Sequence, residues 1–200
     1  MKENEWTDNI CRKLSTFLNS HNLYVETLRK IPYSQEIDEY TATWETKPQH
    51  ITINRFETDM VVFEKNGNKI IPRVIIESKL ANITTHDAIT YSYKAEKHKS
   101  ITPFLRYGIM LGNTKNRALP GRLFRHGTNF DFMFSFIETD PTKTEWDSFT
   151  EMIMKEVDHS RTIEAMLHDT RSRGRKHYYM LQKELVLKEL DDHGKTKQSQ

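Results

Sequence analysis

Residues 55–80 read RFETDMVVFEKNGNKIIPRVIIESKL. Two apolar, β-branched runs, Phe56 to Phe63 and Lys69 to Leu80, flank the turn chemistry of Lys65-Asn66-Gly67-Asn68, and together they predict a β-hairpin. Charged side chains interrupt both runs: Glu57 and Asp59 in the first, Glu77 and Lys79 in the second. Successive strand side chains point to opposite faces, so Glu77 and Lys79 project from one face and Val74, Ile76 and Leu80 from the other. Charges among such neighbours are costly to bury unpartnered, so they reach solvent or serve a purpose. Two carboxylates and an ammonium near one point suit a hard cation such as magnesium, Mg2+, which is commonly held by one or two carboxylates plus substrate phosphate. The ammonium can stabilise charge developing at phosphorus or orient a water.

The acids meet only in one register. A two-residue Asn66-Gly67 turn sets Asp59 against Val74. The metal-binding reading therefore requires a three-residue loop, Gly67-Asn68-Lys69, or a bulge at Pro72, which cannot donate a ladder hydrogen bond.

Around the hairpin, Trp6, Ile10, Leu14, Phe17 and Leu18 recur at helical spacing and predict a helix over residues 5–20. Residues 22–50, with Pro32, Pro48 and the acidic Glu36-Ile37-Asp38-Glu39, show no regular pattern and read as an insertion able to contact a partner. Thr84-Thr85 can cap a helix of about 15 residues with Ile89, Tyr93 and Lys97 along one side, ended by Pro103. Phe104 to Leu111 reads as a buried strand. Phe130, Phe132, Phe134 and Phe136 alternate with smaller or polar residues as a strand with an aromatic core face. Pro141 and Thr144 start a helix with Trp146, Phe149, Met152, Ile153 and Val157 inward, followed by helical stretches at 160–169 and 174–190. The stripe Tyr178, Leu181, Leu185 and Leu190 is a last core helix or, the preferred reading, a dimer seam. Helix, hairpin, helix, strand, strand, helices describes an α/β protein: a mixed β-sheet flanked by helices on both faces. Residues 1–190 are read as one domain and 191–200 as a disordered polar tail.

Of 200 residues, 36% are hydrophobic and 29% charged, which excludes a disordered chain, a collagen and a membrane protein. The lone Cys11 excludes an internal disulfide framework and a multi-cysteine zinc site, and the first residues lead into no apolar leader, so a cytoplasmic location is expected. Net charge is +2, but it is segregated: from Lys94 to Arg125 eight Lys/Arg (Lys94, Lys97, Lys99, Arg106, Lys115, Arg117, Arg122 and Arg125) stand against Glu96 alone. A second cluster is Arg171, Arg173, Arg175 and Lys176. Such patches are solvated surface or the footprint of a polyanion. Lys94, Lys97, Arg106, Arg122, Arg125 and His126 are the candidates for contact with double-stranded DNA. No H-E-x-x-H, G-x-S-x-G or phosphate-cradling G-x-x-x-x-G-K occurs, and no small-molecule cofactor is expected.

At Asp59 and Glu77-Ser78-Lys79, 18 residues apart and joined by hairpin chemistry, the sequence resembles the PD-(D/E)XK nuclease superfamily of restriction-endonuclease-like fold. The proline that names the motif is absent, since Thr58 precedes Asp59. The resemblance covers residues 1–137 as a pattern of elements. It implies a Mg2+-dependent endonuclease in which Asp59 and Glu77 bind the metal and Lys79 positions or polarises water. Type II restriction enzymes are most similar in size and layout, which implies a homodimer. A junction-resolving or repair nuclease, or a DNA-binding module without catalysis, are the alternatives. Many members carry a glutamate on the first helix, for which Glu5 is the candidate here. His86 is a second accessory candidate, with an ordinary helix-surface histidine the competing reading.

Overall fold

The computed structural model describes residues 1–115, 118–171, 173–174 and 176–188. The elements run α1 (Glu3–Asn19), β1 (Tyr24–Ile37), β2 (Ile51–Asn66), β3 (Lys69–Leu80), α2 (Thr85–Ile101), β4 (Arg106–Gly112), α3 (Gly121–His126), β5 (Phe132–Ser135) and α4 (Lys143–Asp169), with a short 3-10 turn at Pro48–His50 before β2. The strands form one sheet in the order β1-β2-β3-β4-β5. The pairs β1/β2 and β2/β3 are antiparallel, whereas β3/β4 and β4/β5 are parallel. The expected mixed sheet with helices on both faces is what forms.

Side-chain alternation sorts the two cores. Met60, Val62, Val74, Ile76 and Met110 face α1 and α4, whose Trp6, Ile10, Leu14, Phe149, Ile153 and Val157 bury against them. Val61, Phe63, Ile75 and Tyr107 face α2 and its Ala95, while Ile109 and Leu111 meet Leu123 of α3. The phenylalanines Phe132, Phe134 and Phe136 pack on the α1/α4 side as a core face, but Phe130, read as part of the same stripe, packs on the side of α2 and α3.

Three elements differ from the sequence reading. Within 22–50 lies a 14-residue edge strand, β1. Its Pro32 is tolerated because the β1/β2 register shifts between Pro32 and Ser34 and an edge strand needs fewer donors. The stretch 160–169 is no separate helix but the continuation of α4, which meets no Gly or Pro. Residues 176–188 are irregular, with Tyr178, Leu181 and Leu185 exposed, rather than part of a helix over 174–190. A segment of this length without a surface to pack on is a marginal helix. Leu190 and the tail 191–200 lie outside the described residues. No helix among those described is long and apolar enough to cross a membrane.

The hairpin register is set by a bulge. The turn is Gly67-Asn68, with Gly67 at φ +58°, a conformation glycine adopts without steric cost. Asn66 faces Lys69 and Phe63 faces Pro72, yet Val62 faces Val74: Arg73 is one residue too many on β3. Beyond it Met60 faces Ile76, the last pair of the ladder, and Asp59 and Glu77 are the next residues along the two strands. The expected bulge beside Pro72 forms, but it shifts the register by only one residue; the rest comes from the turn, which is Gly67-Asn68 rather than either loop expected from the sequence. Buried Arg73 donates to Glu64 of β2 (2.9 and 2.6 Å) and to Glu164 of α4 (2.6 Å), and Arg161 bonds Glu64 from α4. Arg73→Ala is expected to cost about 3 kcal/mol, because it leaves two acids without their buried cation; the shift of the urea unfolding midpoint measures it.

Candidate active site

Asp59, Glu77 and Lys79 share the sheet face covered by α2. The β2/β3 ladder ends at Met60 and Ile76, so the acid pair sits where the two strands part. Asp59 Oδ2 accepts the Ser78 N–H (2.7 Å) and the Ser78 hydroxyl (3.0 Å), which ties the aspartate across the fork.

Glu77 is fully buried. Its Oε1 accepts the Tyr107 hydroxyl and the Lys94 ammonium (3.4 Å), while Oε2 is buried without a hydrogen-bond partner. Burial, then the Asp59 charge, push its pKa up to about 7 against the opposing pull of Lys94 and Tyr107. Tyr107 sits on β4 opposite Ile75, one alternation from the strand neighbour of Glu77, and burial followed by Glu77 keeps its hydroxyl protonated as a donor.

Lys79 lies 3.2 Å from Glu3 and 4.0 Å from Asp87, with its ammonium 5.5 Å from the Tyr91 ring centre. Burial works against its charge, but Tyr91 and Glu3 outweigh burial and raise its pKa. At neutral pH it is therefore an ammonium, able to orient or stabilise but not to take a proton. Glu3 also accepts the Leu80 N–H (3.0 Å), so it orients Lys79 from the first turn of α1. Lys94 reaches the Glu57 carbonyl (3.1 Å) and lies 5.2 Å from the Tyr91 ring.

Among the described residues no three His, Cys, Asp or Glu side chains gather to hold a metal. The acid pair nevertheless fits magnesium: this ion needs only one or two carboxylates, and an unpartnered buried oxygen on Glu77 beside Asp59 is what a hard cation satisfies.

The other sequence candidates divide. Arg106 is corrected: it is buried and pairs with Asp131 (3.0 Å) and Glu156, out of reach of a phosphate. Arg122 and Arg125 are exposed on α3, where Arg122 donates to the Ile83 carbonyl (2.9 Å); His126 is partly exposed at its last turn. Lys97 lies 5.1 Å from the Tyr93 ring. His86 is exposed in the first turn of α2, as the competing reading had it. Glu5 is corrected: it accepts the Lys2 N–H (2.9 Å) as part of a helix cap, and the α1 glutamate at the site is Glu3. Arg117 and Arg175 lie outside the described residues. Tyr91 and Tyr107 went unread, because a tyrosine on a buried helix or strand has no sequence mark separating it from core.

No family model and no curated protein matches the chain. Among solved structures, a crystal structure of the pre-specific restriction endonuclease BsaWI in complex with DNA is similar over 78% of this chain at 10% identity, with a TM-score of 0.42. The chain spans 61% of that protein's chain.

Between its ordinary value near 4.5 and about 7, Glu77 keeps in the native state a proton that the unfolded chain releases. Native stability therefore falls as pH rises through that window and levels off above it. In metal-free buffer the fall is expected to be on the order of 3 kcal/mol or less. Glu77→Gln abolishes it, Tyr107→Phe moves its upper end to higher pH, and added Mg2+ reverses it at alkaline pH. Urea unfolding across the pH series reads all three.

Proposed function

We propose that the chain is a Mg2+-dependent endonuclease that hydrolyses phosphodiester bonds of double-stranded DNA, a site-specific type II restriction enzyme acting as a homodimer in the cytoplasm. The observation that carries this reading is the Glu77 carboxylate, buried with one oxygen unpartnered, set against Asp59 where the strands part, with a permanently charged Lys79 on the same face.

Asp59 and Glu77 would hold the ion, which supplies positive charge against the scissile phosphate and the attacking oxygen. Ser78 holds Asp59 in place through its N–H and hydroxyl. Tyr107 and Lys94 fix one Glu77 oxygen and leave the other without a hydrogen-bond partner. Lys79, kept cationic and oriented by Glu3, donates to the attacking water and to the charge growing on phosphorus. In-line attack by water forms the new P–O bond and breaks the bond to the 3′ oxygen, which leaves with the electron pair and takes a proton from solvent. The attacking water releases its proton to solvent, and the product is a 5′-phosphate. Each copy would cut one strand, with the exposed Tyr178, Leu181 and Leu185 as apolar surface for the second copy.

Asp59→Ala and Lys79→Ala are each expected to keep duplex binding and to lose cleavage about a thousandfold. Incubation of plasmid DNA with Mg2+ and purified protein is the assay, and discrete fragments mark site-specificity. Cleavage that persists in Asp59→Ala would overturn the assignment.

A further inference from the structure

Past Met60, β2 leaves β3 and continues paired with β1 alone, from Thr58 opposite Arg29 to Ile51 opposite Ile37. This two-stranded ribbon is about 23 Å long at the usual rise per residue, and it starts at the acid pair. Between it and the C-terminal half of α2 lies a groove of about 480 Å3, lined by Tyr33, Ser34 and Gln35 of the ribbon and Lys97, Ser100 and Ile101 of the helix. Lys97 stands three residues beyond Lys94, which bonds Glu77.

We infer that this ribbon and α2 form the sequence-reading contact with duplex DNA, with Gln35 presented to a base edge and Lys97 to a backbone phosphate. The inference rests on the nuclease reading of the acid pair. The major groove of B-DNA admits a two-stranded ribbon, and a glutamine amide can pair bidentately with adenine. Three to six residues along a helix advance roughly 4.5–9 Å, and base pairs are spaced about 3.4 Å apart. The groove therefore reads bases about one to three pairs from the cut.

Lys30, Thr52 and Glu57 of the ribbon are exposed and, among the described residues, uncommitted but do not line the groove, and other polar side chains there are taken up. Asn54 donates to Ser34 (3.3 Å) and Glu36 (2.8 Å), and Arg55 donates to the Ile53 carbonyl (3.2 Å). Exposed Gln35 has no such partner among the described residues. The ribbon's angle to α2 is fixed in advance: Tyr33, the extra residue at the β1 bulge, stacks on Phe56 at 3.6 Å, and buried His98 of α2 bonds the Pro32 carbonyl through Nδ1 (2.9 Å). Such preorganisation lowers the ordering cost of binding. The ribbon's tip is unsuited to phosphate, since Asp38, Glu39 and Glu45 outnumber Lys47 there; the contact falls on the stem.

The test uses the full chain carrying Asp59→Ala, without magnesium, so that its readout is binding rather than cleavage. A pool of random duplexes is selected, and affinity is measured across a salt series for this parent and for Gln35→Ala, Lys97→Ala and, far away on α4, Lys155→Ala. Gln35→Ala is expected to lose preference at one or two base positions by roughly tenfold. Lys97→Ala weakens binding to all sequences and lowers the salt slope by about one. Lys155→Ala matches the parent. If Gln35→Ala selects the parent's sequences and Lys97→Ala keeps its slope, the ribbon is not the reader, while the nuclease reading stands on the cleavage assay. A parent that binds no duplex DNA overturns both.

Discussion

The buried guanidinium of Arg73 holds β3 one residue out of step with β2, and the acid pair depends on that offset. Directly opposed residues of an antiparallel pair share a face, so a slip of one residue turns a whole strand over. Without the surplus residue, the register at the turn would run on and set Asp59 against Ile76. Glu77 would then point toward α1 and α4, away from Asp59. The bulge lets an apolar ladder near the turn and a paired acid site near the fork coexist on the same two strands. Its ionic cluster, Arg73 and Arg161 with Glu64 and Glu164, need contribute little net stability. What it contributes is a single register.

A fully buried carboxylate beside a second acid is an expensive arrangement, and the surrounding groups offset it only partly. Lys94 and Tyr107 both act on one oxygen of Glu77, while Lys79 is drawn off toward Glu3 and Asp87. The second oxygen is left with nothing. A fold selected for stability alone would replace Glu77 with an apolar residue, as the neighbouring Ile75 and Ile76 show. An acid held there, with its proton affinity raised toward neutrality by burial and by Asp59, is consistent with the metal-binding role proposed for it.

The hairpin and the triplet were legible because they depend on neighbours in sequence: alternation, a turn-rich stretch and an apolar run. A bulge at Pro72 could be foreseen on paper, but the turn at Gly67-Asn68 could not, nor that Arg73 finds Glu164, 91 residues away. The same distance hid Arg106, whose partners Asp131 and Glu156 convert a basic residue in a basic segment into a buried tie. Glu5 was named on helix assignment alone, and which glutamate of a first turn faces the sheet is settled by how α1 docks. Strand β1 was masked by a proline that an edge strand with a bulge can absorb.

The helix α2 shows why the site closes as it does. Its larger apolar residues, Ile89 and Tyr93, lie on the side the sequence pattern marked, yet that side is exposed; the buried side is Ala88, Ser92, Ala95 and His98. Small residues against a sheet let the helix axis come close. From that short distance Tyr91 and Lys94 reach the charged ends of β3, and His98 reaches the backbone of β1. A conventional leucine-lined helix would stand further off, leaving Glu77 open to water and the ribbon unanchored. The weak amphipathic pattern is therefore a consequence of what the helix must touch: the backbone of β1 and the charged side chains of β3.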